Sequence, residues 1–180
     1  RIPGGVVSTW LCNEMKMGRT VEITEAHGEC FYLPEEEQRK APILLVGTGT
    51  GLAPLYGVIQ SAIANKHRGE IFLYHGATRK NKLYLVDEML ALEAKQPNFH
   101  YIPCVSHESG SFGIREGQAH NVALEDIKDL SGYLVFACGE PEMVRSAKRR
   151  AYLQGAAMQD IFGTTFVRAS AFTTVSIPTV

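Results

Sequence analysis

The sequence predicts an α/β fold: a doubly wound, five-stranded parallel sheet with helices on both faces. Three observations carry that expectation. Short apolar runs alternate with helix-length runs between residues 41 and 167. Three of the apolar runs end in a glycine-containing stretch: Gly47–Gly51, Gly76–Arg79 and Gly139–Pro141. Pro54 and Pro141 then stand where a helix begins, a place where the missing N–H costs little. Parallel strands need a crossover between them, usually a helix, so this alternation favours a parallel sheet.

The elements follow in order. Ser8 before Thr9–Met15, with Gly18 beyond, predicts a short helix capped by Ser8 and stopped by Gly18. Thr20-Val21-Glu22-Ile23 alternates and predicts a strand. Glu35–Lys40 is a polar connector. The strand runs are Ile43–Val46, Ile71–His75, Phe99–Val105, Tyr133–Ala137 and Ile161–Val167. The helix runs are Pro54–Lys66, Leu83–Lys95, Val122–Leu130 and Pro141–Gln154, the last ended by Gly155. Three segments are expected: residues 1–40, 41–170 and a tail, 171–180.

Composition narrows the function. The chain has 180 residues, 45% hydrophobic and 21% charged, with net charge −1. That suits a globular core and supplies no field for nucleic acid or anionic membrane. No apolar run reaches membrane-spanning length. The four cysteines (Cys12, Cys30, Cys104, Cys138) show no Cys-x-x-Cys spacing, and the six histidines form no metal motif. A reducing compartment follows, the cytoplasm. The start, Arg1-Ile2-Pro3-Gly4-Gly5, is neither a signal peptide nor an initiator Met, so it reads as a piece of a longer chain.

The chemistry concentrates after the predicted strands. Gly47, Thr48, Gly49, Thr50 and Gly51 run into a helix carrying Pro54. Glycines let the backbone approach a phosphate, and a helix N-terminus favours its charge. The dinucleotide fingerprint G-x-G-x-x-G fails, since Leu52 stands at the third glycine. No Lys-Ser/Thr follows, so the nucleotide-triphosphate loop fails too. A tight strand-to-helix turn without a ligand is the alternative. After the second strand, Gly76, Ala77, Thr78 and Arg79 lead to Lys80 and Lys82. These cations suit a 2′-phosphate, and no carboxylate lies between Gly76 and Leu83. A solvated basic loop is the plain alternative. Cys138, Gly139, Glu140, Pro141 and Met143 follow the fourth strand, where a cysteine reads as a small buried apolar residue.

Val46–Pro54 together with Cys138–Met143 resembles the nicotinamide domain of the ferredoxin–NADP⁺ reductase superfamily. Tyr74–Arg79, with Leu83-Tyr84 and Asp87-Glu88 following, is similar to the same family. Gly5-Val6-Val7-Ser8 resembles the motif that holds the flavin phosphate at the end of the family's FAD-binding barrel. Thr20–Ile23, Gly28 and Phe31 resemble that barrel's last strands, so residues 1–40 would be an antiparallel barrel remnant. Arg79, Lys80 and Lys82 favour NADPH, and the resemblance itself implies hydride transfer from NAD(P)H to FAD, with electrons passed to a ferredoxin-like protein or an oxygenase component. It implies that Gly47–Gly51 and Pro54 cradle the dinucleotide and that Gly76–Arg79 meet the adenosine ribose. Cys138 would line the nicotinamide slot in a packing and orienting role, with Gly139, Glu140, Pro141 and Met143 beside it. Gly5, Val6, Val7 and Ser8 would touch the FAD pyrophosphate, and Phe166 would be the late aromatic near the flavin.

Departures are visible. The family's Arg-x-Tyr-Ser flavin motif and most of its barrel are absent, His27 replaces a customary proline, and Thr164 stands where many relatives carry an acid. An isolated dinucleotide-binding module, or an interaction domain without its ligand, is the competing reading. The basic residues Arg145, Lys148, Arg149 and Arg150 suit either an acidic partner or plain solvation.

Overall fold

The computed structural model describes residues 6–23, 25, 28–32 and 36–166. They divide between two compact units, with residues 6–23 and 25 in one and 28–32 and 36–166 in the other.

The larger unit is built on a six-stranded sheet. Its strands are β1 (Ile43–Thr48), β2 (Ile71–Ala77), β3 (Phe99–Val105), β4 (Arg115–Glu116), β5 (Leu134–Gly139) and β6 (Ile161–Thr165). The order is β4-β3-β2-β1-β5-β6, and every neighbouring pair is parallel. The helices of this unit are α2 (Leu52–Ala64), α3 (Val86–Lys95), α4 (Ala119–Asp126) and α5 (Pro141–Leu153). The sheet therefore has one strand more than the sequence predicts. β4 is only two residues long and exposed, too short to leave a periodic signal. Arg115 holds it in place through two hydrogen bonds to Asp126, at 2.9 and 3.0 Å.

Burial on both faces explains why β1 reads as an unbroken apolar run. Ile43 and Leu45 point into one core with Leu52, Leu55, Ile59 and Met89 of α2 and α3. Leu44 and Val46 point into the other, with Val122, Ala123, Val144 and Ala147 of α4 and α5. Each buried leucine, isoleucine, valine or methionine here contributes about 1.5–3 kcal/mol from apolar area removed from water.

Three helix starts differ from the predicted ones. Pro54 is the third residue of α2, because a 3₁₀ turn over Gly49–Gly51 leads into Leu52. The first turn still has no donor partner to lose. Leu83–Leu85 stay outside α3, with Leu85 at φ +55. α4 begins at Ala119, earlier than Val122, and ends at Asp126, where Ile127 turns extended.

The smaller unit contains α1 (Val6–Asn13). Ser8 is its third residue rather than its cap. Glu14 and Met15 N–H close the end on Trp10 O at 2.9 and 3.1 Å, and Gly18 takes φ +86 further on. Thr20–Ile23 forms no strand, and no strand precedes Ile43 among the described residues. A strand exists only through its partner, and none of the described residues pairs with this stretch. The alternation of Thr20–Ile23 therefore overpredicts, and the barrel remnant is not formed by the described residues. Gly5 and His27 lie outside the described residues.

Candidate functional site

The chain runs outward from β1 in one direction through β2 and β3, then crosses back to place β5 on the other side. The gap between β1 and β5 is thus a topological switch point, where ligands bind in open parallel sheets. The three glycine-containing stretches meet at that edge. Gly47 pairs with His75 of β2 and with Cys138 of β5, and Thr48 pairs with Gly76.

Close backbone approach dictates two of the glycines. A Cβ on Gly51 would lie 2.1 Å from Cys138 O and 2.7 Å from Gly139 N. The turn after β1 therefore rests directly on the end of β5. Gly139 takes φ +136, and a Cβ there would meet Thr48 Oγ1 at 2.3 Å and Thr48 O at 2.7 Å. Thr48 Oγ1 in turn accepts from Glu140 N–H at 3.3 Å. Gly49, at φ +53, has nothing within 4 Å of its missing Cβ and faces open space.

Two helices start at this edge and are finished differently. Glu140 caps α5 by accepting from Met143 N–H at 2.9 Å, with Pro141 at the first position. α2 has no side-chain cap. Its first N–H groups carry the helix's positive end, so an anion at Gly49–Gly51 gains from them. Thr50 is exposed beside them, and Pro54 is partly covered.

Other expected residues are distributed as follows. Thr78 and Arg79 are exposed after β2, with Ala77 pairing Val105. Lys80 N–H donates to the Glu108 carboxylate, so an acid reaches the basic loop from the far side of β3. Cys138 is fully buried. Phe166 is 43% exposed, and its N–H donates to Gly139 O at 2.9 Å. β6 thus delivers Phe166 to the edge where Cys138 ends. Met143, in the first turn of α5, is buried in the core on that face of the sheet, and its N–H donates to the Glu140 carboxylate. Val6, Val7 and Ser8 lie on α1 of the other unit, Val6 84% exposed. The basic residues of α5 are largely engaged within the chain. Arg145 pairs with Glu142, Lys148 lies 3.6 Å from Glu29, and Arg150 donates to Asn121 Oδ1 at 2.6 Å.

Three further groups stand here; the sequence places His75 at a strand end within reach of the cleft and gives Tyr84 and Cys30 no role. Tyr84 Oη donates to Gly49 O at 2.9 Å, pinning the turn from outside. His75 is fully buried, 3.0 Å through Nδ1 from Tyr101 Oη and edge-on to Tyr84. Burial pulls its pKa down to about 4, so the ring is neutral. Cys30 Sγ lies 3.2 Å from Cys138 Sγ. Tyr84 and His75 flank recognisable stretches, whereas nothing in the sequence links Cys30 to Cys138. Among the described residues no group of three or more His, Cys, Asp or Glu side chains is placed to hold a metal. Among the described residues no helix is long and apolar enough to cross a membrane.

Comparison with known proteins agrees with this geometry. Residues 45–149 match the family described as oxidoreductase NAD-binding domain. The reductase subunit of an aromatic O-demethylase from Amycolatopsis is 33% identical over 147 residues, covering 81% of this chain and 44% of that protein. The ferredoxin–NAD(P)⁺ reductase component of naphthalene 1,2-dioxygenase/salicylate 5-hydroxylase systems from Ralstonia is 30% identical over 81% of this chain and 43% of its own. The crystal structure of a cytochrome P450 reductase from Amycolatopsis superposes with a TM-score of 0.81 at 31% identity, covering 92% of this chain and 50% of that one. The chain spans about half the length of the curated relatives it matches. Its matched residues and its parallel sheet place the chain in the oxidoreductase NAD-binding domain family, within the ferredoxin–NADP⁺ reductase superfamily.

Proposed function

We propose that this chain is the NAD(P)H-binding part of an FAD-dependent reductase. The observation that carries the reading is the uncapped start of α2 over a turn whose Gly49 faces open space, while its neighbour α5 carries its own cap. The Leu52 N–H turns back onto Gly49 O and Thr50 O, and the positive end of α2 beside the exposed Gly49 is what favours an anion.

In this reading Gly47, Thr48, Gly49, Thr50, Gly51 and Pro54 hold the dinucleotide pyrophosphate. Gly76, Ala77, Thr78 and Arg79 meet the adenosine ribose. Gly139, Glu140 and Pro141 set the β5 side of the slot, and Met143 supports it from the core. Bound NAD(P)H supplies a hydride, and FAD of the whole protein accepts it. The chain's own work is positioning. Cys138 offers a buried thiol at the end of β5, where it packs and orients without attacking. Phe166 covers the same edge from β6. Gly5, Val6, Val7 and Ser8 contribute to the flavin phosphate site, with residues 1–40 as the flavin-side tail and Gly28–Tyr32 packed onto the sheet unit. Electrons then pass to a ferredoxin-like protein or an oxygenase component, as the names of the relatives suggest. Four free cysteines suit a reducing, cytoplasmic setting.

Arg79, Lys80 and Lys82 support a preference for NADPH. Glu108 at the Lys80 amide keeps that preference modest.

Calorimetric titration of the chain with NADP⁺ and NAD⁺ tests the binding step. Heat with either, lost in Gly49→Val, supports the reading. No heat with either refutes it. The full-length protein should be yellow and should reduce dyes with NAD(P)H; one that stays colourless with added FAD refutes the enzyme reading.

A further inference from the structure

Two thiols separated by 108 positions meet at the end of β5. Cys30 Sγ and Cys138 Sγ are 3.2 Å apart. Cys138 is fully buried and held by strand pairing on both sides, to Gly47 and to Thr164. Cys30 is partly exposed and sits outside any strand, between Gly28 and Tyr32. Thr164 Oγ1 donates to Cys30 Sγ at 3.4 Å. The charged groups nearby are Glu29 on the same segment and Lys148 on α5, paired with each other at 3.6 Å.

The two thiols are unequal. The hydrogen bond with Cys138 pulls the Cys30 thiol down to about 7; burial opposes that shift and Thr164 reinforces it. The hydrogen bond to Cys30, and then burial, push Cys138 up, so Cys138 keeps its proton. Cys30, the sulfur of the pair that solvent reaches, is the nucleophile, and the buried Cys138 resolves. A disulfide needs the sulfurs to close to about 2.05 Å, roughly 1.2 Å nearer, a shift shared between the irregular Gly28–Tyr32 segment and the end of β5.

We propose that Cys30 and Cys138 form a redox-active dithiol that a hydroperoxide closes to an intramolecular disulfide beside the dinucleotide turn. The Cys30 thiolate attacks the peroxide O–O bond, becomes a sulfenic acid, and releases an alcohol or water. Cys138 sulfur then attacks the sulfenic sulfur. The S–S bond forms, the S–O bond breaks, and hydroxide leaves with the Cys138 proton as water. Each sulfur loses one electron and the peroxide gains two. A small dithiol reverses the reaction. Because Gly51 rests on the Cys138 carbonyl, drawing Cys138 toward Cys30 disturbs the turn and weakens dinucleotide binding. That consequence, unlike the disulfide itself, rests on the function proposed above.

The test uses the full chain with Cys12, the exposed thiol, changed to Ser. After one equivalent of hydrogen peroxide, intact mass should fall by two hydrogens, and unreduced peptide mapping should join Cys30 to Cys138. Dithiothreitol should restore the mass. Added oxygen on Cys30 without a link, or a link through Cys104, overturns the proposal. Cys30→Ser should show neither change; if that variant does not fold, the parent's peptide map still decides. NADP⁺ titrated before and after oxidation reads the coupling separately. Binding weakened about tenfold or more and restored by dithiothreitol supports it; unchanged binding by a linked chain overturns it. A reduced chain that binds no dinucleotide refutes the proposed function and leaves the mass result standing.

Discussion

Replacing Gly51 with alanine tests whether the turn truly rests on β5. The added Cβ would lie 2.1 Å from Cys138 O and 2.4 Å from Cys138 C. Ordinary van der Waals contact for a Cβ begins near 3.4 Å, so the turn and the strand must part by about 1.3 Å. Both partners are backbone, and Cys138 is pinned by Gly47 and Thr164, so no rotamer change relieves the clash. Overpacking of this kind costs about 3 kcal/mol. Gly57 is the internal control. It lies on exposed α2 surface with nothing within 4 Å of its missing Cβ. Gly57→Ala should therefore gain about 0.5–1 kcal/mol from reduced backbone entropy of the unfolded chain. With a urea slope near 2 kcal/mol per M, Gly51→Ala should lower the unfolding midpoint by about 1.5 M, whereas Gly57→Ala should raise it slightly. Dinucleotide titration on the folded Gly51→Ala protein should also show weakened binding. A Gly51→Ala midpoint equal to that of the parent, or below-parent stability confined to Gly57→Ala, would refute the claimed contact.

Acid should destabilise the fold through His75. Its folded pKa is depressed to about 4 against an unfolded value near 6.5, so the unfolded chain binds the extra proton between those limits. Stability is complete above about pH 6.5, falls by about 3 kcal/mol as pH drops to about 4, and then levels; urea midpoints across that range should flatten in His75→Phe. Burial depresses His67 and His120 in the same direction and adds to the loss. Iodoacetamide modification of Cys30 should speed up as pH rises through about 7, and Cys138→Ala, which removes the partner thiol, should move that midpoint upward. Tyr84→Phe deletes the bond to Gly49 O at an exposed site, which should cost about 1 kcal/mol or less in stability, and calorimetry should show weaker dinucleotide binding. Glu108→Gln should tighten NADP⁺ relative to NAD⁺; an unchanged ratio would remove Glu108 from the ribose site.

The sequence by itself determined the layers of the larger unit. Ile43–Val46 is a continuous apolar run because both sheet faces are covered there, and Ile71–His75 and Phe99–Val105 are largely apolar for the same reason. The position of the Gly47–Gly51 turn was equally legible, since glycine spacing after an apolar run reflects a local backbone demand. β4 was not legible, because two exposed residues held by the Arg115–Asp126 pair have no period of their own. Thr20–Ile23 alternates like a strand, but strand formation depends on a partner that the local pattern does not encode.

The tertiary structure decided what the turn rests on and which side chains accompany it. Gly51 is required by the Cys138 carbonyl, a contact across strands that only the β1–β5 crossover creates. Glu108 enters the basic loop from beyond β3, and Tyr84 fastens Gly49 from outside. The Cys30–Cys138 pair depends on an irregular segment folding back over β5 and β6. Local pattern fixes what a residue's own backbone needs, whereas long-range contacts arise from chain crossings that no window of sequence contains.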